Sequence, residues 1–287
     1  MRVTFLGVRG SFPCSSPINR RYGGNTAAVA LHVDGEAPIF LDLGTGLPQF
    51  DVSEGRADGR PFRASALLTH LHLDHVQGLP FFPPVHERGT ELDVYGPRQN
   101  EGSLRDAFAR LVNPPFFPLP LDEIVGEIRF HEVCNDEFAV GEATVTVRPV
   151  PHLGPTVGYR IHWDGGTLAY ISDHQAPPGF DHVDDAVLEL CDGADLLIHE
   201  GQYTAEEFPA KADWGHGTID YAIRVASEAG ARHLCLFHHD PWRSDDDLDA
   251  LVAEANKALK GATEEVMAAA EGMMLIVGDR REGWLRS

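Results

Sequence analysis

Short runs of apolar and β-branched residues, broken by glycine, proline and aspartate, set the pattern of this chain. Residues 3–7 (VTFLG), 26–33 (TAAVALHV) and 38–43 (PIFLDL) have the length and composition of strands. The chain is therefore expected to open with a β-meander, and Leu67 and Leu68 close a further buried strand. Helical spacing follows in residues 103–112 (SLRDAFARLV). Asn113-Pro114-Pro115 should stop that helix, because proline pushes the preceding residue out of the helical region. Beyond it, residues 143–150 (ATVTVRPV) read as a strand, and residues 159–163 and 167–171 flank Asp164-Gly165-Gly166, a hairpin signal. Residues 195–199 and 234–237 are buried strands, residues 219–229 a helix ended by Gly230, and Ser244 caps a final helix. Its acidic start, Asp245 to Asp247, reads as helix-dipole stabilisation rather than a metal site. No linker separates the halves, so residues 1–287 are expected to form one domain, two β-rich halves with helices outside.

Composition narrows the function classes. A chain of 287 residues, 43% of them hydrophobic, can bury a sizeable core. The 23 Lys and Arg against 44 Asp and Glu give a net charge of −21, which repels polyanions near the surface. Long nucleic acids are therefore expected to be poor substrates, whereas small ligands escape most of this repulsion. Cys14, Cys134, Cys191 and Cys235 form no CxxC pair and read as free thiols of a reducing compartment. With no signal peptide and no run approaching ~20 apolar residues, the expected location is the cytoplasm, away from membranes.

The chemistry concentrates in THLHLDH, residues 69–75. Strand alternation would put His70, His72 and Asp74 on one side; a loop at the strand's end can converge them with His75. Neutral imidazoles and carboxylates are ligands for zinc and similar ions at roughly 2.0–2.2 Å. Four such groups exceed what one catalytic zinc draws from one segment, so two metals are expected. A lone histidine needs no metal, but three beside Leu71, Leu73 and Val76 would leave several polar groups stranded in low dielectric. Further ligands are expected at strand ends: His152 after TVRPVP, Asp173 after TLAYIS and His238 after LCLF. Each alone reads equally well as structural; together they complete a dinuclear set, with Asp173 able to bridge.

THLHLDH resembles the HxHxDH signature of the metallo-β-lactamase superfamily, and His152, Asp173 and His238 match its later motifs in order and strand context. The resemblance covers essentially the whole chain. It implies an α/β fold, the αββα four-layer sandwich, with the metals at one edge. It also implies His70, His72 and His152 on one ion, Asp74, His75 and His238 on the other, and Asp173 between them. The histidine-rich set favours two Zn²⁺, while Mn²⁺ or Fe would fit the same ligands. FLDLGTG (residues 40–46) resembles the early motif whose aspartate, here Asp42, supports the metal loop without binding metal. FHHD makes His239 a competitor of His238; His238 is preferred because it directly follows Phe237.

IHEGQY (residues 198–203) and GHGT (residues 215–218) resemble loops of the ribonuclease Z group and its phosphodiesterase relatives. There a glutamate and a histidine form a proton-donating pair, which implies that role for Glu200 and His216. A histidine oriented by a carboxylate suits a general acid; the alternative is a helix cap and a buried ion pair. Residues 95–123 carry no extended basic or glycine-rich arm of the kind that grips transfer RNA. GVRGS (7–11) and RYGGNT (21–26) look like the small bacterial members, where glycine turns let the first strands approach the site.

The expected function is hydrolysis of a small phosphodiester, a cyclic or short nucleotide, by a metal-bridging hydroxide. Asp74 would orient or deprotonate the nucleophile, His216 protonate the departing oxygen, and Thr218 and Asn25 contact the substrate. The alternatives are a carboxylic hydrolase (lactonase, thioesterase or β-lactamase), ribonuclease Z-like RNA processing, or a non-catalytic metal-stabilised binding module. A homodimer is compatible with all of them.

Overall fold

In a computed structural model, which describes residues 1–56, 60–259 and 263–278, the alternation of strands and turns resolves into two seven-stranded sheets packed face to face. The remaining residues of the expected domain lie outside the described ones. The first sheet opens as an antiparallel meander, β1 (Arg2–Gly7), β2 (Ala28–His32) and β3 (Ile39–Leu41). It continues in parallel through β4 (Arg63–Leu67), β5 (Glu91–Pro97) and β6 (Glu127–Val133). The second sheet is antiparallel through β7 (Glu137–Val140), β8 (Ala143–Pro149), β9 (Val157–Trp163) and β10 (Gly166–Ile171). It then runs parallel through β11 (Leu196–Glu200), β12 (His233–Phe237) and β13 (Glu265–Ala268), and β14 (Met274–Ile276) returns to pair with β1.

Three apolar layers hold this arrangement. Between the sheets lie inward residues of both, including Phe5, Val29, Leu31, Val145, Tyr159, Ile161, Tyr170 and Phe237. Outside the first sheet, Phe40, Phe50, Phe62 and Phe82 pack edge to face at centroid distances of 4.9–6.3 Å, beside Phe108 of α2 (Leu104–Leu111). The first helix, α1 (Leu73–Val76), is a single turn on the same side. Outside the second sheet, α3 (Asp185–Cys191) and α4 (Ile219–Ala229) bury Leu190, Tyr221 and Val225, and α5 (Asp245–Ala258) packs beside them. The order of layers is helix, sheet, sheet, helix: the expected αββα sandwich.

Element boundaries moved where side chains at strand ends take other duties. The strand expected over residues 26–33 starts at Ala28, because the Thr26 N–H donates to the Thr45 hydroxyl. That over 38–43 ends at Leu41, because Asp42 turns to φ +58°. The loop expected to carry the histidine cluster contains the helical turn α1, with His72 at its N-terminus. Strands β5, β6, β7, β13 and β14 and helix α3 were not anticipated. Ser244 caps α5 through a reciprocal pair with Asp247, while Asp245 accepts the Arg21 and Tyr22 N–H groups, so the acidic triplet is structural.

The topology decides where chemistry can sit. The parallel strands β3, β4, β10, β11 and β12 end at one edge of the sandwich; Asp42, Thr69, Asp173 and His238 follow such ends, and Glu200 is the last residue of β11. Ligand sites of open α/β sheets form outside such carboxyl ends.

Candidate metal centre

Asp42 organises the loop. Fully buried, it accepts hydrogen bonds from the Thr69 N–H (2.8 Å), the Thr69 hydroxyl (3.0 Å), the Tyr170 hydroxyl (2.8 Å) and His75 Nδ1 (2.9 Å). A hydroxyl has one proton, so with it directed at Asp42 the Thr69 oxygen accepts from His70 Nδ1 at 3.1 Å. Elsewhere His238 Nδ1 donates to Gln202 Oε1 (2.8 Å), and His152 Nδ1 to the Gly215 carbonyl (2.5 Å). With each Nδ1 donating outward, His70, His75, His152 and His238 turn Nε2 inward; His72 turns its Nδ1 inward instead. Partners of this kind fix the tautomer that a metal requires.

The inward atoms form two nests. In one, His72 Nδ1 lies 2.9 Å from His70 Nε2 and 3.2 Å from His152 Nε2, and both Nε2 atoms are 3.7 Å from Asp173 Oδ2. In the other, His75 Nε2 and His238 Nε2 are 3.2 Å apart, each within 3.1–3.2 Å of Asp74 Oδ2 and 3.4 Å of Asp173 Oδ1. A tetrahedral ion with ligands at ~2.0–2.2 Å separates them by ~3.3–3.6 Å. The nests come close to that spacing, and Asp173 offers one oxygen to each. Lone pairs so placed repel one another unless positive charge lies between them.

Titration tells the same story. Burial opposes ionisation of Asp74 and Asp173, yet the surrounding imidazoles hold both carboxyls well below their usual range. Burial also disfavours charge on His75, but Asp74, Asp173 and Asp42 overcome it and push its pKa well above normal. Without a cation, these carboxylates keep a proton on His75 in its place. The donor set therefore fits divalent ions, one per nest.

Backbone conformation is specialised around the cluster. Ser11, Asp42 and His238 all have φ near +54° to +62°, a region unfavourable for residues with a Cβ. Ser11 in this pose donates its N–H to Asp74 Oδ2 at 2.7 Å. Gly10 lies directly on His238, since a Cβ there would stand 2.3 Å from Nδ1. The turn at His238 also separates it from His239. His239 faces away, bonded through Nε2 to the Ala269 carbonyl, with burial and Arg9 pushing its pKa down to about 3.

His216 approaches both nests. Its Nδ1 is 3.4 Å from Glu200 Oε1 and 3.6 Å from Asp173 Oδ2, and its ring packs against His152 and His238. Glu200 is fully buried and held by the His174 N–H (2.7 Å) and the Gln202 N–H (3.4 Å). Burial lowers the His216 pKa, but Glu200 first, then Asp173 and Asp74, lift it to about 9.

Two expected substrate contacts have other work. The Asn25 side-chain amide donates to Glu271 Oε2, and the Asn25 backbone carbonyl accepts from the Val8 and Arg9 N–H groups. The Thr218 hydroxyl caps α4 by accepting from the Tyr221 N–H. Conversely, Gln202, Thr69, Tyr170 and the Ser11 N–H carry geometry that motif reading passed over. For Thr69 and Gln202 the signal was adjacency, inside THLHLDH and IHEGQY.

Residues 51–239 match the Beta-lactamase superfamily domain. The chain belongs to the metallo-β-lactamase superfamily. This superfamily hydrolase is 28% identical to the ribonuclease Z of Natronomonas pharaonis, over 91% of the chain and 94% of that protein. Its fold is similar to that of the metallo-beta-lactamase fold protein YhfI of Bacillus subtilis, at TM-score 0.70 and 22% identity, covering 95% and 97% of the two chains. It is likewise similar to the short form of human tRNase Z, at TM-score 0.69 and 23% identity, covering 96% and 99%.

Proposed function

We propose that the chain is a dinuclear metal-dependent phosphodiesterase acting on small phosphodiesters, of the size of cyclic or short nucleotides. The observation that carries this reading is His216, a buried imidazole held by Glu200 against the carboxylate shared by the two nests. His70, His72 and His152 would hold one cation, Asp74, His75 and His238 the other, with Asp173 reaching both; zinc suits the histidines, and manganese or iron the same donors. Bound there, such cations lower the pKa of water and neutralise charge on a phosphoryl group.

The chain's own residues supply the remaining steps. Asp74, fixed by the Ser11 N–H, would position an attacking water at the second nest. His216, protonated at neutral pH, gives its proton to the departing oxygen, and Glu200 stabilises the cation until then. A cation at Asp173 would weaken that carboxylate's pull on His216; Glu200 would still act. An alkoxide needs such an acid more than a thiolate does, which ranks phosphodiesters above thioesters. The name of the curated relatives agrees in bond type, since a ribonuclease cleaves phosphodiesters. Residues 1–287 are read as one catalytic domain.

That name also favours a second reading, RNA processing of the ribonuclease Z kind. Two features favour small substrates instead. The net charge is −21, and α2, eight residues long, is the one α-helix between α1 and the loop of His152 among the described residues. Among those residues, no helix is long and apolar enough to cross a membrane.

The test is a panel assay of protein loaded with Zn²⁺, Mn²⁺ or Fe²⁺ on bis-aryl phosphate, cyclic nucleotides, a lactone, a thioester and precursor transfer RNA. Diester turnover with at least one ion is expected, falling by ~10²-fold or more in His216→Ala. No diester turnover with any ion overturns the reading, and preferential cleavage of the RNA replaces it with the second.

A further inference from the structure

Large apolar side chains exposed to water are few in a soluble monomer, and their grouping is informative. Of the eleven among the described residues, five stand around the candidate centre: Phe12, Leu73, Leu153, Trp214 and Trp242. Leu73 lies between His72 and Asp74, and Leu153 follows His152. The aromatic three are set on loops beside the nests, Phe12 next to that of Asp74 and His238 and Trp214 next to that of His152. Phe12 follows the Gly10–Ser11 turn, which lies on His238 and bonds Asp74. Trp214 precedes Gly215, which lies so close to His152 that a Cβ would stand 2.6 Å from its ring.

Trp242, 77% exposed, meets Phe12 edge to face at 5.4 Å. Its backbone N–H donates to Asp240, whose other oxygen accepts from Lys211 Nζ at 3.3 Å. The same ammonium lies 4.3 Å over the Tyr203 ring and 5.8 Å from that of Trp214. Tyr203 in turn packs edge-on against His216. Phe12, Trp242 and Trp214 are thus rings on one rim, tied by polar bonds to a scaffold that ends at the reacting groups.

We propose that Phe12, Trp242 and Trp214 form a subsite for a planar aromatic ring, the nucleobase of a phosphodiester whose phosphate lies at the two nests. The inference rests on the phosphodiesterase reading and names its substrate class. Rings presented singly, edge to face, offer stacking surfaces to a flat partner; an acyl chain would be better matched by a continuous aliphatic groove. Stacking is indifferent to charge, which suits recognition of a small nucleotide by a chain of net charge −21.

The experiment compares a 3′,5′-cyclic purine nucleotide with the cyclic ribose phosphate that lacks the base, for wild type and for Phe12→Ala, Trp242→Ala and Trp242→Phe. Each alanine variant is expected to reduce the kcat/KM ratio of the base-bearing over the base-free substrate about ten-fold, through KM. Trp242→Phe should keep most of the preference. Calorimetric binding of a purine nucleoside monophosphate against ribose phosphate supplies a readout that needs no turnover. Ratios equal across the variants, or no preference for the base in wild type, overturn the proposal. Should wild type hydrolyse neither substrate, the phosphodiesterase reading falls, and calorimetry alone decides the subsite: a preference lost in Trp242→Ala supports it, and none overturns it.

Discussion

In the nest of Asp74, His75 and His238 every side chain is buried, and His75 leans on the Asp42 carboxylate. In the nest of His70, His72 and His152, His72 is exposed, and the supports are the Thr69 hydroxyl and the Gly215 carbonyl. A charged partner in a dry site raises the basicity of its imidazole more than a neutral partner at the rim does. The buried nest should therefore hold its cation tightly, while the open nest exchanges its cation and admits the substrate. Asp173, with one oxygen to each, makes them a single device.

The largest disruption should come from the group they share. Asp173→Ala is expected to lose both cations and abolish hydrolysis, as elemental analysis and assay would report; full occupancy of either nest in that variant would mean the two are independent. Next comes Asp42→Ala, which leaves the buried donors of Thr69, Tyr170 and His75 without their acceptor. A loss of about 3–5 kcal/mol in unfolding free energy is expected, and an unchanged melting curve would deny Asp42 its organising role. Gln202→Ala acts on the buried nest alone, by releasing the tautomer of His238. Chelator competition should show a 10–100-fold weaker cation there. Equal weakening in both nests would erase the distinction between them.

The smallest effect is one of pH. Glu200 raises the His216 pKa, so the proton that serves the leaving group is bound at low pH and lost as pH rises through that pKa, which cations in the nests would set below the metal-free value of about 9. Glu200→Gln removes the leading cause of that rise and should move the alkaline limb of the rate profile down by about 1–3 pH units. A limb that stays in place would mean another group titrates there.

Much of this architecture was written in periodicity. Strands β1, β9 and β10 and helices α2, α4 and α5 follow from alternation, turn residues and caps, because local preference and tertiary packing agree there. Strands β5 and β6 were not anticipated although they border residues 95–123, the segment noted for its lack of an arm. Their exposed or half-buried residues at alternate positions, as in Glu91, Asp93 and Tyr95, blur the apolar signal. The candidate donors were read from ligand type and strand ends, and their division into two sets only from the resemblance to the superfamily. Sequence could not supply the backbone turn at His238, which directs this histidine inward and His239 outward, since positive φ in a histidine leaves no local signature. Nor could it reveal that Asn25 and Thr218 serve Glu271 and the start of α4. Those duties depend on residues far along the chain or on helix geometry.

The most direct measurement of the central claim is anomalous diffraction from crystals of the metal-loaded protein. Two peaks about 3.5–4 Å apart, one on each side of the Asp173 carboxylate, are the result predicted. A single peak, or ions bound away from Asp173, would contradict the account.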